Sequence, residues 1–265
     1  MDAPAAVAEP APQERSTLGL EGRAVIVTGG TRGLGLATAR RLCAAGCDVH
    51  LTYAHDDAAA DAALRSLDGL KGTARAHRGD ITDPATLPGL LDTVVRRHGR
   101  LDVFVHNAAT FHPMRTLDAD PAGVRADLAT ALDPLLGGAP LIAEAMAGGP
   151  GRIVAVSSTG ARAVVPRYVS LGIAKAALES LVRYLAAELA GRGVAVNAVA
   201  ASKLDKAGGP PVDPEVVERL VARVPAGRLT RPEDVADAVA LLCTDEAAWI
   251  HGQVLTVDGG TALAA

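Results

Sequence analysis

The chain is poor in aromatic side chains: only 2% of its 265 residues, two Phe, three Tyr and one Trp. A protein that stacks on nucleic-acid bases needs more rings than that. Cationic excess is missing too. Lys and Arg number 26 against 30 Asp and Glu, and a formal net charge of -4 attracts neither a phosphate backbone nor an anionic membrane. The three cysteines, Cys43, Cys47 and Cys243, form no C-x-x-C pair and no even disulfide framework, which points to a reducing, cytoplasmic setting. Cys43 and Cys47 stand four apart, able to face each other on a helix, and read as small buried side chains. The seven histidines are scattered without H-E-x-x-H or a Cys/His cluster, so no metal site is expected. Long apolar runs are absent: Pro134 to Ala147 is interrupted by Gly137, Gly138, Pro140 and Glu144, too short and broken to span a bilayer. Residues 1–17 are Ala/Pro-rich, carry Asp2 and Glu9, and lack the basic and apolar parts of a signal peptide; they read as a mobile tail.

What the chain does have is apolar content, 49% against 21% charged, enough to fold residues 18–265 as one domain. Ala24 to Thr28 is a continuous β-branched run closed by Gly29, the pattern of a strand buried on both faces. Leu34 to Ala45 has apolar residues at helical spacing and Gly46 as its stop. The alternation repeats, with strands near Asp48–Tyr53, Thr73–His77, Leu101–His106, Arg152–Ser157, Val194–Val199 and Gln253–Val257. Between them lie helical patterns at Ala58–Leu67, Pro84–His98, Pro121–Met146, Pro166–Leu189, Pro214–Ala222 and Pro232–Cys243. This predicts an α/β fold, a Rossmann-type doubly wound parallel sheet of seven strands with helices on both faces. The Gly/Pro-rich segment Ala200 to Asp213, within a stretch near 200–225, reads as a substrate lid, with a plain surface excursion as the alternative.

The first strand runs into Thr28-Gly-Gly-Thr-Arg-Gly-Leu-Gly35, where glycines let backbone N–H groups at a helix start approach a pyrophosphate. The spacing T-G-x-x-x-G-x-G resembles that of the short-chain dehydrogenase/reductase superfamily. Further stations follow in that family's order: Asp80-Ile81, His106-Asn107-Ala108-Ala109, Ser157-Ser158, Lys175, Asn197-Ala198-Val199 and Val257-Asp-Gly-Gly260. The resemblance implies a dinucleotide site made by Gly29, Thr31, Arg32, Gly33, Leu34, Gly35, His55, Asp80, Ile81, Asn107, Ala108, Lys175 and Leu204. Within it, Asp80 would hold the adenine amino group, Asn107-Ala108 would line the adenosine ribose, and Lys175 would bond the nicotinamide ribose and lower the pKa of a nearby tyrosine. Arg32 and the lack of an acid at the end of the second strand, Thr52-Tyr-Ala-His55, favour NADPH over NADH, whereas Asp56 and Asp57 would repel a 2′-phosphate if they faced it.

The departure from the family lies at its acid. Most members carry Y-x-x-x-K, but Leu171 stands four residues before Lys175 and Tyr168 stands seven before it. On a helix starting near Pro166, seven steps return to nearly the same face, about 4.5 Å further along the axis. Y-x6-K resembles the divergent NADPH-using enoyl-acyl carrier protein reductase branch. Catalytic roles are therefore expected for Tyr168, Lys175 and Ser158. No Asn occupies the Pro121–Met146 helix for the family's proton relay, with Ala129 near its place; Ala201-Ser202 replaces a Pro-Gly, and Lys206 stands where a Thr is usual. Three readings stay open: an enoyl-thioester reductase, a ketoreductase of a polyketide-like or other specialised metabolite, and a non-catalytic dinucleotide binder. Relatives' assembly implies a homodimer or homotetramer through the helices Pro121–Met146 and Pro166–Leu189 and the strand near Val257, acting on a small-molecule or acyl-thioester substrate, free or carrier-bound.

Overall fold

The computed structural model describes residues 18–205 and 214–263. The expected tail at 1–17, Lys206 and the middle of the expected lid lie outside the described residues. Seven parallel strands, β1 (Ala24–Val27), β2 (Asp48–Tyr53), β3 (Thr73–Arg78), β4 (Val103–His106), β5 (Gly151–Ser158), β6 (Val194–Ala201) and β7 (Val254–Val257), form one sheet in the order β3-β2-β1-β4-β5-β6-β7. The helices are α1 (Gly33–Ala44), α2 (Asp57–Leu67), α3 (Thr86–His98), α4 (Pro121–Leu136), α5 (Ala139–Ala145), α6 (Val169–Leu189), α7 (Pro214–Val221) and α8 (Pro232–Leu242). The chain builds outward from β1 to β3 and then crosses back to β4, so the direction of winding reverses between β1 and β4. A crevice opens beyond the carboxyl ends of strands at such a reversal.

Both faces of the sheet are covered. On one, Ile26, Phe104, Ile153 and Val196 pack against Leu90 and Val94 of α3, Ile142 of α5 and Leu178 and Val182 of α6. On the other, Val25, Val27, Val105 and Val154 meet Leu42 of α1 and Val235 and Val239 of α8. Successive strand side chains alternate between the two clusters, which is why the strands read as unbroken apolar runs. Among the described residues no helix is long and apolar enough to cross a membrane.

Three local expectations need correction. The helix expected over Pro121–Met146 is two helices, because Gly137 and Gly138 interrupt it and Pro140, lacking an N–H, starts the second. Helix α6 begins at Val169 rather than at Pro166, after Arg167 in left-handed backbone (φ +60°). Cys43 and Cys47 do not share a helix, since α1 ends at Ala44; both are buried free thiols, with Cys43 Sγ donating to Thr73 O at 3.5 Å and Cys47 Sγ to Leu20 O at 3.3 Å.

Where α3 covers the β2–β3 edge the interior is polar. His50, fully buried on β2, has Nδ1 2.9 Å from Nε2 of His77 on β3 and Nε2 3.0 Å from Nε2 of His98 at the end of α3. A proton added to His50 would place a buried charge between two imidazoles and near two arginines. Burial, the two neighbouring rings, and Arg75 and Arg97 pull the His50 pKa down to about 4. His77 is lowered by burial and Arg75; in His98 burial and the nearby arginines outweigh the opposing pull of Asp48 and Asp102. The unfolded chain, with ordinary histidines, therefore binds more protons than the folded one between about pH 6.5 and 4, and stability falls as pH drops through that window. Urea unfolding at pH 7 and pH 4.5 should differ by on the order of 3 kcal/mol from His50 alone, a loss that shrinks in His50→Leu. Equal midpoints at the two pH values would contradict this assignment.

Candidate active site

The crevice is tied together by Thr28, the residue that leaves β1. Its hydroxyl accepts from the backbone N–H of Asn107 (3.0 Å) and Ala108 (2.9 Å) and donates to His106 Nδ1 (3.3 Å), while His106 Nε2–H donates to Ala131 O on α4 (3.0 Å). Burial, and after it the Lys175 charge, lowers the His106 pKa to about 4, so the ring is neutral and can accept and donate as this chain requires. The Asn107 amide donates to Thr28 O and to Gly29 O, both at 3.0 Å. Its side chain thus serves the glycine turn, a role that the family resemblance placed on the ribose. Gly29 lies at φ +62° with Ala108 against it, and a Cβ on Gly35 would overlap the Gly29 carbonyl. The first and last glycines of the motif are therefore set by backbone packing.

Gly33 opens α1 with nothing within 4 Å of where its Cβ would stand, and no side chain caps the helix N-terminus. Uncapped N–H groups in front of an open space fit a dinucleotide pyrophosphate. Of the other residues expected there, Thr31 is buried and Arg32 and His55 are exposed. Leu34 and Leu204 pack against the α1–α8 core, and Leu204 also forms a β-bridge with Thr230. Asp80 has Oδ1 bonded to the Thr82 N–H (2.9 Å) and hydroxyl (2.8 Å), which hold its pKa below the usual range, while Ile81 is core. Asp56 caps α2 through the Ala59 N–H, and Asp57 accepts from Tyr53 and Arg78, so both acids that would repel a 2′-phosphate are engaged elsewhere.

At the end of β5, Ser158 meets Tyr168, and Lys175 reaches back to the same strand. Tyr168 precedes α6 at φ −110°, ψ 10°, so its direction comes from the Pro166–Arg167 turn rather than from helical periodicity. Its ring lies across Gly160, where a Cβ would stand 2.6 Å from Cε1, and its hydroxyl comes close enough to Ser158 for that side chain to bear on its pKa, while Ser158 Oγ accepts from the Gly160 N–H (3.1 Å). Burial raises the Tyr168 pKa, the Asp127 charge adds to it, and Ser158 opposes it. The expected lowering by lysine is not the direction here. Lys175 is buried, donates to Val156 O at 2.7 Å, and has its pKa pushed down to about 8 by burial. Leu171, where the family has its tyrosine, is packed with Ala131 of α4 and Ala174.

Two buried carboxylates that the sequence reading passed over hold the loops in place. Glu179 on α6 accepts from Ser157 Oγ (2.8 Å) and Arg162 Nε (2.9 Å), pinning the loop that carries Gly160. Asp127 on α4 accepts from Ser170 Oγ (2.6 Å), His112 Nδ1 (2.8 Å) and the His112 backbone N–H (3.1 Å). Burial alone would raise the Asp127 pKa, but these donors with Thr110 hold it below the usual range. No local motif marks either residue. Among the described residues no group of three or more His, Cys, Asp or Glu could hold a metal.

A family model described as "Enoyl-(Acyl carrier protein) reductase" matches residues 29–262. The 1-cyclohexenylcarbonyl-CoA reductase of Streptomyces collinus is 35% identical over 249 residues, covering 91% of this chain and 87% of that protein. Among solved structures, a short-chain dehydrogenase from Burkholderia cenocepacia J2315 in complex with NADP superposes with a TM-score of 0.83 at 31% identity over 92% of this chain and 99% of that one. LugOII, a promiscuous reductase that catalyses keto-reduction at C1 during lugdunomycin biosynthesis, superposes with a TM-score of 0.85 at 33% identity, with the same coverage of 92% and 99%.

Asn107→Ala removes both hydrogen bonds on the glycine turn. It should cost about 1–3 kcal/mol in chemical unfolding and weaken dinucleotide binding, measured by fluorescence titration, more than tenfold. Unchanged affinity would mean that the turn holds its shape unaided.

Proposed function

The chain belongs to the short-chain dehydrogenase/reductase superfamily of oxidoreductases, and on that premise we propose that it reduces the C=C bond of an α,β-unsaturated acyl thioester at the expense of NADPH. The observation that carries this reading is the pairing of Tyr168 with Ser158 while Leu171 fills the usual tyrosine position with a hydrocarbon. In ketone reduction hydride and proton add to adjacent atoms. In conjugate reduction hydride goes to the β-carbon while charge develops on an oxygen two bonds further out, which calls for a displaced donor. Bound at the glycine turn, a reduced nicotinamide dinucleotide supplies the hydride. Tyr168, kept protonated by burial, donates to the thioester oxygen; Ser158 orients that hydroxyl, and Lys175 would bond the nicotinamide ribose. A cleft of about 700 Å³ opens beside Tyr168, walled by Met114, Val164, Val165, Ile173 and Ala176, apolar enough for an acyl group. A relative named for a conjugated cyclic acyl-CoA supports the same substrate class. For the cofactor, exposed Arg32 and the engagement of Asp56 and Asp57 support NADPH. Exposed Ile173 and Tyr184 on α6 and Leu255 on β7 support homo-oligomer assembly through those elements.

Ketone reduction is the second reading, favoured because a Ser–Tyr hydroxyl pair can also polarise a ketone and because LugOII reduces one. NADPH consumption against an enoyl thioester and a panel of ketones separates the two: ketone turnover alone would sink the thioester assignment. On the accepted substrate Tyr168→Phe should lower kcat about 10²–10³-fold, and undiminished turnover would remove Tyr168 from the mechanism. Arg32→Ala should cut the preference for NADPH over NADH, read as the ratio of kcat/KM values, by at least roughly tenfold.

A further inference from the structure

Reduction of a conjugated thioester leaves one requirement that Tyr168 does not meet. The oxygen needs a donor, but the product keeps its new proton on the α-carbon. We propose that His112, backed by Asp127, is the acid that delivers this proton, an inference that rests on the thioester reading above.

The side chain is built for the task. Asp127 is fully buried on α4, yet His112 is 47% exposed and lines a cavity of its own, so a desolvated carboxylate grips one edge of a ring that is otherwise open. Both the backbone and the Nδ1 N–H of His112 bond the same carboxylate, and the side chain packs on Gly123, where a Cβ would stand 3.0 Å from His112 Cβ. Three hydrogen bonds, from Ser170 Oγ, His112 Nδ1 and the His112 backbone N–H, hold the carboxylate against the Nδ1 edge of the ring and leave Nε2 as the edge that whatever enters would meet. No described residue bonds Nε2. The cavity at His112 adjoins the cleft at Tyr168, and Met114, Arg115 and Arg167 line both. One turn of α6 holds the two groups together: Ser170 Oγ donates to His112 O at 3.1 Å, and the Phe111 ring lies 5.2 Å from that of Tyr168. Of the other charges lining this cavity, Arg115 faces Asp118 at 3.9 Å, Asp120 caps α4 through the Ala122 and Gly123 N–H groups, and Arg167 stands on the side shared with the Tyr168 cleft.

The step balances. Hydride from the reduced nicotinamide dinucleotide bonds to the β-carbon, the C=C pair moves toward the thioester carbonyl, and Tyr168 bonds the oxygen that takes the charge. The Nε2–H bond of His112 then breaks, its proton bonds to the α-carbon, and the carbonyl re-forms. The neutral imidazole regains its proton from water through the open side of the cleft. One hydride and one proton are consumed per double bond.

The test uses wild type and His112→Gln with NADPH and an enoyl-CoA in D2O, reading kcat and, by NMR, the configuration of deuterium at the product α-carbon. His112→Gln is expected to lose about 10²-fold or more in kcat and to give mixed α-deuterium configurations where wild type gives one. The dissociation constant for NADPH should not move. Retained rate and single configuration in the variant overturn the role of His112 while leaving the thioester reading in place. A wild type that reduces only ketones overturns both together.

Discussion

The hydroxyl of Thr28 is the contact on which the rest of the crevice depends. It stands where β1 ends, and by accepting two N–H groups from the segment after β4 it closes the point at which the sheet reverses direction. A parallel sheet offers no hydrogen bonds beyond its strand ends, so the two loops that must form one floor need a side chain to join them. Thr28 and Asn107 provide that join reciprocally, one through its hydroxyl and the other through its amide on Thr28 O and Gly29 O. The neutral His106 carries the same network down to α4.

Around this floor the walls are held by buried carboxylates. Glu179 fastens the loop after β5, and Asp127 fastens the loop after β4 to the start of α6. Both sit on the buried faces of their helices, among core side chains, so the loops inherit the rigidity of the scaffold. Tyr168 stands between them. Its ring position follows from a turn strained at Arg167 and from the missing side chain at Gly160, not from the helix that follows it. The same polar economy appears at the β2–β3 edge, where three imidazoles fill a place that aliphatic side chains fill elsewhere in the sheet and make the packing there dependent on protonation.

Most of the fold was legible in the sequence because the signals are local. The β-branched runs, the helical spacing and the glycine stops placed all seven strands within about three residues of where they lie. The break between α4 and α5 was visible as Gly137-Gly138 and Pro140 but was read as interrupting an apolar run, not a helix. The glycine turn was legible for the same reason as the strands. Asp127, His112, Ser170 and Glu179 were not, because each gains meaning from partners 15 to 58 residues away and none carries a motif.

The sequence by itself determined that a dinucleotide-type crevice could form, since glycines after a buried strand permit the left-handed turn at Gly29 and the close backbone approach at Gly35 that a Cβ would forbid, and that a hydrocarbon, Leu171, would replace the usual phenol. Only the tertiary structure decided what replaces it. Periodicity assigned Tyr168 to a helical face above Lys175, whereas the folded chain turns at Arg167, seats the ring over Gly160 and sets it beside Ser158. The physical reason is that a side chain outside a helix takes its direction from the loop's packing and hydrogen bonds, which arise from residues far apart in the chain.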